Sequence, residues 1–210
     1  MKNIILTLLA LLLITNVSAQ IDKLAGPRIG FTFIGAGPIA DFINLKDIDA
    51  LSREEGSNGE LHVFGDEGSA FITQYGWQWE TRFADGYDVT GLVEWIVLVG
   101  GMEKGMFLPS VSSLVGLRTS NNLEFAFGPN LSLSGIGAVL AIGYNFKIGE
   151  INLPVNIAFR PGIKKTRSVS VREILGTDSY GDEIYNYSEV NQEYNTGSLV
   201  SLIVGFNLGN

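Results

Sequence analysis

Side chains in this chain alternate between apolar and small or polar at period two, over stretches long enough to cross a bilayer as β-strands. Ile136, Ala138, Leu140, Ile142, Tyr144, Phe146 and Ile148 form one set, and Gly137, Val139, Ala141, Gly143, Asn145 and Lys147 lie between them. Ile151, Leu153, Val155, Ile157 and Phe159 then alternate with Asn152, Pro154, Asn156, Ala158 and Arg160. Such a pattern sorts side chains onto the two faces of a strand. Spans of about 9–11 residues with an apolar outer face and a small or polar inner face are the signature of an outer-membrane barrel.

The start of the chain supports export. Met1-Lys2-Asn3 is basic, Ile4–Ile14 is apolar but too short to span as a helix, and Val17-Ser18-Ala19 supplies small residues. Residues 1–19 are therefore expected to be a signal peptide cleaved after Ala19, leaving 20–210 as one barrel domain. The formal charge of −8 becomes −9 once Lys2 is lost, which argues against nucleic acid as a partner. The absence of cysteine excludes lipoprotein acylation, disulfides and thiolate chemistry. With no later segment as long as a membrane helix, only a closed barrel would satisfy backbone hydrogen bonds in a membrane.

Eight strands are predicted, at roughly 27–36, 69–84, 87–100, 106–118, 122–131, 135–149, 151–160 and 196–208. In the second, Phe71, Thr73, Tyr75, Trp77, Trp79, Thr81 and Phe83 share the outward face. The even connections are tight turns: Asp85-Gly86, Thr119–Asn121 and Gly149-Glu150. The odd ones, 37–68, 101–105, 132–134 and 161–195, include two long segments rich in Asp and Glu. Short turns on one side and longer loops on the other is the barrel arrangement with both termini in the periplasm. Acid in these loops reads first as solvation, and otherwise as divalent-cation bridging to an anionic surface. Helical spacing at Ile39, Phe42, Ile43 and Leu45 suggests a short helix within 38–51, on or inside the barrel mouth. Pro154 conflicts with a closed barrel, which has no free edge, and calls for a bulge; Pro109 lies harmlessly near a strand end.

Tyr75-Gly-Trp-Gln-Trp-Glu80, Gly91-Leu-Val-Glu94, Leu108-Pro109, Gly116-Leu-Arg118, Phe127-Gly-Pro-Asn130, Leu153-Pro-Val-Asn156 and Gly205-Phe206-Asn207 together resemble an uncharacterised family of small outer-membrane β-barrel proteins from Bacteroidota-type bacteria. The resemblance covers about 70–160 and 197–207. It implies envelope location and barrel architecture, with no established activity or catalytic residue. The chain departs from related barrels by ending Leu208-Gly209-Asn210 rather than on an aromatic residue; Phe206 is the substitute.

Three constellations invite chemistry. Gly35-Ala36-Gly37-Pro38-Ile39-Ala40 fits a dinucleotide-binding fingerprint, but no β-α-β continuation follows, so a strand ending in a glycine-rich bend is expected. His62, the only histidine, excludes a multi-histidine metal site and leaves only a weak hydrolase triad with Ser57, Ser69 or Ser179. The inward set Glu80, Arg82, Glu94, Arg118, Glu124, Lys147 and Arg160 is the candidate lumen charge network, read as a paired plug rather than an ion path. Eight strands leave an interior that side chains about fill. Outward aromatics, among them Trp95, Phe125, Phe127, Tyr144, Phe146 and Phe159, suit lipid contact.

The expected protein is thus all-β: an eight-stranded antiparallel up-and-down transmembrane β-barrel with two long extracellular loops, in the cell outer membrane. It is read as monomeric and non-enzymatic, without cofactor, catalytic or metal residues. Its partners would be outer-membrane lipid and a surface partner through 37–68 and 161–195. The alternatives are a small-solute channel or hydrophobic-ligand barrel, and an envelope lipid-modifying enzyme. A soluble exported sandwich or lipocalin-like barrel is the rival fold.

Overall fold

The computed structural model describes residues 24–46, 64–65, 67–86, 88–177, 179–181 and 183–208. Residues 1–23 with the expected signal peptide and cleavage site, residues 47–63 with His62, and the last two residues lie outside the described set. Strands β1 (Gly26–Ile34), β2 (Ala70–Asp85), β3 (Val89–Gly100), β4 (Leu108–Thr119), β5 (Leu123–Ser132), β6 (Gly135–Ile148) and β7 (Ile151–Arg160) pair in sequence, each antiparallel to the next. Strand β10 (Leu199–Gly205) pairs with both β7 and β1, which closes the sheet into an eight-stranded barrel. The two-residue β11 (Asn207–Leu208) continues it along β7.

The register fixes the barrel's geometry. Starting at Phe71 and stepping sideways through paired residues gives Phe33, Val200, Phe159, Leu140, Phe127, Val115, Val93 and finally Thr81. One circuit therefore returns to β2 ten residues further on, from 71 to 81, so the shear is ten. With standard strand spacings, eight strands and this shear require a tilt of roughly 40°. Ten residues at that tilt rise roughly 25 Å along the axis, the height of a barrel's apolar band.

Turn chemistry and prolines explain where pairing stops. The even connections are the short ones between β2 and β3, β4 and β5, and β6 and β7; Asn122 (φ 65°) and Gly149 (φ 61°) take left-handed backbone in two of them. Among the odd connections, Leu133-Ser134 is as tight as any even turn. Pro154 needs no bulge: β10 leaves β7 after the pair Val204–Val155, and β11 rejoins at Asn207–Asn152 in the same register. The residue lacking an N–H falls in that gap. Pro129 similarly falls where the β4–β5 ladder is interrupted, between the pairs Ser112–Asn130 and Val115–Phe127.

Both long connections carry structure. Gly35–Gly37 is the expected bend, followed by helix α1 (Pro38–Leu45) within the 38–51 segment considered from sequence, of which residues 47–51 lie outside the described set. A Cβ on Gly37 would lie 2.8 Å from backbone atoms of 195–197, so only glycine lets this bend pack there. Proline at the first helical turn suits the start. Ile39, Ala40 and Ile43 are buried against Ile34, Ala70, Ile72 and Leu108, so α1 caps the barrel at the loop end. Asp41 accepts hydrogen bonds from the Gly65 and Glu67 amides (2.7 and 3.3 Å), tying the returning chain to α1.

The second connection corrects the picture of an irregular loop. Within 161–195, β8 (Lys164–Thr177) and β9 (Glu183–Asn195) form an antiparallel hairpin separate from the barrel sheet. At its base Phe64 packs edge-on against Tyr194 (4.9 Å between centroids), with the Arg167 guanidinium 3.9 Å from the Phe64 ring centre.

Candidate functional site in the barrel lumen

Alternation turns one residue of every two inward, and the inward set changes character along the axis. At the turn end it is charged and polar; toward the loop end the aliphatic Ile72, Ile96, Leu98, Leu114, Val139 and Ile203 are buried among the polar Thr32, Gln74, Asn130 and Arg160. The small-or-polar inner face expected from sequence therefore holds at the turn end and is interleaved with aliphatic residues toward the loops.

The turn-end half is a hydrogen-bonded plug. Arg118 Nη1 and Nη2 donate to Glu80 Oε1 and Oε2 at 3.0 and 2.6 Å, a bidentate fork. Its Nε and Nη2 donate to Glu124 Oε2 at 2.8 and 2.5 Å. Arg82 Nε lies 3.4 Å from Glu80 Oε1. Arg28 Nε donates to Gln78 Oε1 (2.9 Å), and Gln78 Nε2 donates to Glu94 Oε1 (2.6 Å). Arg28 also donates to the Leu24 and Pro27 carbonyls. A Cβ on Gly205 would lie 2.2 Å from Arg28 Nη1, so the glycine opposite Arg28 makes room for the guanidinium. Below this cluster Asn145 Nδ2 donates to Asn152 Oδ1, and Asn207 Nδ2 ties the last strand to the Ala25 carbonyl.

Of the seven charges nominated from sequence, the structure gathers Glu80, Arg82, Glu94, Arg118 and Glu124. Lys147 is exposed, outside the buried cluster. Arg160 is buried but sits apart, at the loop end of β7. Arg28, which sequence reading passed over, takes part instead. Its signal was in the chain: Arg28, Gly30 and Thr32 alternate with Ile29, Phe31 and Phe33. The plug holds Arg28, Arg82 and Arg118 against Glu80, Glu94 and Glu124, so its formal charges balance.

Above the plug the lumen is not filled, contrary to the expectation for eight strands. A cavity of about 100 Å³ runs from Glu94 and Glu124 at its floor, past Ile96, Leu114, Val139 and Ile203, to Ile39 of α1 and Ser134 at the loop end. Arg160 lines its wall.

At the rim, the 3₁₀ turn Met102–Lys104 presents Glu103 to β2, where it accepts from the Thr73 amide (2.9 Å) and Thr73 Oγ1 (2.5 Å). Slight burial pushes the Glu103 carboxyl up, but the Thr73 hydrogen bonds outweigh this and hold it below the usual glutamate value.

Among the described residues no group of three or more His, Asp or Glu side chains is placed to hold a metal ion. His62 and the triad built on it lie outside the described residues. Outward, Phe71, Trp77, Trp79, Trp95, Phe125, Tyr144, Phe146 and Phe159 are all exposed, as the alternation predicted. No family model, curated protein or solved structure matches this chain.

Proposed function

We propose that this chain is an outer-membrane β-barrel of the small Bacteroidota type, with a non-enzymatic role at the cell surface. One observation carries the reading: a closed barrel exposes an apolar belt on its outside while burying charge inside. The circuit from Phe71 through Phe33, Val200, Phe159, Leu140 and Phe127 crosses six neighbouring strands, and all six side chains are roughly half exposed. In water this surface would far exceed the apolar patches of soluble proteins, which reach a few hundred Å². In lipid it is the expected solvent-facing side. A lipocalin-like barrel would show the inverse.

The balanced plug favours a sealed barrel over a small-solute channel. The β8–β9 hairpin favours surface interaction: Leu175, Ile184, Tyr187 and Val190 are exposed along it, between acidic positions such as Glu189 and Glu193. Aromatic and aliphatic side chains among polar ones are what protein-binding surfaces carry.

Envelope fractionation tests the reading. The protein should resist carbonate wash, appear in the outer membrane, and migrate differently on gels before and after boiling. An epitope placed at Tyr180, in the β8–β9 turn, should be reached by antibody on intact cells, whereas one at Gly149-Glu150 should not. Recovery as a soluble periplasmic protein would sink the proposal.

A further inference from the structure

Two buried charges lie outside the plug: Asp41, which the Gly65 and Glu67 amides satisfy, and Arg160. Arg160 is 4 % exposed. The one hydrogen bond it makes among the described residues runs from Nη1 to Ser134 Oγ. Its Nε is buried without an acceptor, and none of the ion pairs among the described residues includes Arg160. Arginine stays protonated in proteins, so this is a full positive charge without a counter-anion among the described residues. Leaving such a charge buried and unpaired is costly. The chain nevertheless builds a place for it: Gly137 lies beneath it on the neighbouring strand β6, and a Cβ there would lie 2.2 Å from Arg160 Nε.

The surroundings say what would compensate it. Arg160 lies on the wall of the lumen cavity, whose middle is lined by Ile96, Leu114, Val139 and Ile203. The guanidinium's own partner is a hydroxyl, Ser134 Oγ, which in turn lies 2.8 Å from Ser132 Oγ. The carboxylates lining the same cavity, Glu94 and Glu124, belong to the plug at its far end. Lys165, exposed on β8, lies beyond Ser134 in a cleft that shares Ile39, Leu133 and Ser134 with the cavity and so adds positive charge at the mouth.

We infer that the lumen cavity is a binding site for a small anionic amphiphile, an alkyl carboxylate whose head pairs with Arg160 and Ser134 and whose chain lies among the aliphatic side chains above the plug. A guanidinium fork matches a carboxylate's two oxygens. One cation suits a monoanion better than a phosphate dianion. The apolar walls reward a chain by about 0.8 kcal/mol per buried methylene, which hydrated acetate or phosphate cannot gain. The cavity, about 100 Å³ against the roughly 150 Å³ that holds benzene, restricts the chain to short length. This inference rests on the membrane-barrel reading for the direction in which the lumen opens, but not on any surface partner.

The test uses the full mature chain, folded into zwitterionic phosphatidylcholine nanodiscs and checked for its unboiled gel mobility. Hexanoate labelled at its carboxyl carbon is titrated in and followed by NMR, against empty nanodiscs to remove bilayer partitioning. Saturable binding with contacts to Ile96 and Ile203 methyls is expected. Arg160→Gln should weaken it about tenfold or more, the usual worth of a charged hydrogen bond. Ala158→Leu, which adds bulk to the cavity wall, should abolish it. Hexylamine, acetate and inorganic phosphate should not saturate. Absence of saturable hexanoate binding in a correctly folded barrel would overturn the inference while leaving the membrane reading intact. So would equal affinity in Arg160→Gln, which would mean an apolar cavity indifferent to the head. Binding of phosphate alone as tight as that of hexanoate would also overturn it, by showing a free-anion site. A chain that fails to enter nanodiscs or detergent micelles as a folded band would instead count against the barrel's membrane placement.

Discussion

Arg118 holds more of the interior together than any other described residue. Three of its nitrogens reach two carboxylates from two different strands, so β2, β4 and β5 meet at one guanidinium. Such a group cannot be removed without stranding the others. Arg118→Ala leaves Glu80 and Glu124 buried beside each other, a loss expected to be about 3–5 kcal/mol. Glu94→Ala removes the acceptor of Gln78 and upsets the balance of three against three. Phe146→Leu touches only the outside and should cost much less. In heat-denaturation series read by gel mobility, the order of resistance should be wild type and Phe146→Leu, then Glu94→Ala, then Arg118→Ala. Equal stability of all four would remove the plug. Most of this cluster is legible from alternation alone, because a residue's face follows from its parity along the strand. The exceptions have physical reasons. Lys147 has the right parity but stands two residues before the Gly149 turn, where a long stem carries its charge past the rim to solvent. Arg28 has the right parity too, yet sits next to Pro27 at a strand start, where the reading of side chains is weakest. Arg160 carries the right parity and burial, and its isolation depends on distances that no one-dimensional pattern holds.

At the scale of elements, connections decide which strands stay paired at their ends. β3 leaves β2 after the pair Gln74–Gly100, and the chain turns through Gly101 and Gly105, both near φ 75°. The Thr73 amide would then have no strand partner, and Glu103 supplies the acceptor. Its folded pKa lies below the ordinary glutamate value of about 4.3, so the contact contributes above that value and is lost as pH falls through the folded one. Followed by NMR in micelles, the Thr73 amide proton should move upfield over that acidic window, and Glu103→Gln should flatten the response. A pH-independent Thr73 resonance in the wild type would refute the capping role. This device was not visible beforehand: the segment 101–105 reads as a plain glycine-rich loop. Strand positions, by contrast, follow closely from hydrophobic alternation and turn residues, because both act within a few residues. The β8–β9 hairpin escaped notice since its polar residues alternate with few apolar ones, which leaves the period-two signal faint. Pro154 looked like a violation for the opposite reason: the gap between β10 and β11 that absorbs it is made by a strand some fifty residues away.

At the scale of the whole molecule, the shear and the belt describe one object. Eight strands at shear ten stand tilted, and their outward residues then cover a continuous band around the wall. The circuit through Leu140, with Phe159 on one side and Phe127 on the other, runs across that band. This makes the environment of the wall measurable with a single charge. Leu140 is outward and more than half exposed, so Leu140→Arg disturbs no packed interior. If lipid surrounds the wall, a midplane arginine should cost about 2–4 kcal/mol, falling toward zero near either interface. The same substitution at Ile148, next to the Gly149 turn, should then cost far less than at Leu140. Folding titrations into phosphatidylcholine vesicles would read both. If water surrounds the wall, an exposed arginine replaces an exposed leucine, and neither position should lose stability. Depth-dependent loss at Leu140 against near-neutrality at Ile148 is the expected result, because only a bilayer distinguishes two exposed sites by their height along a barrel.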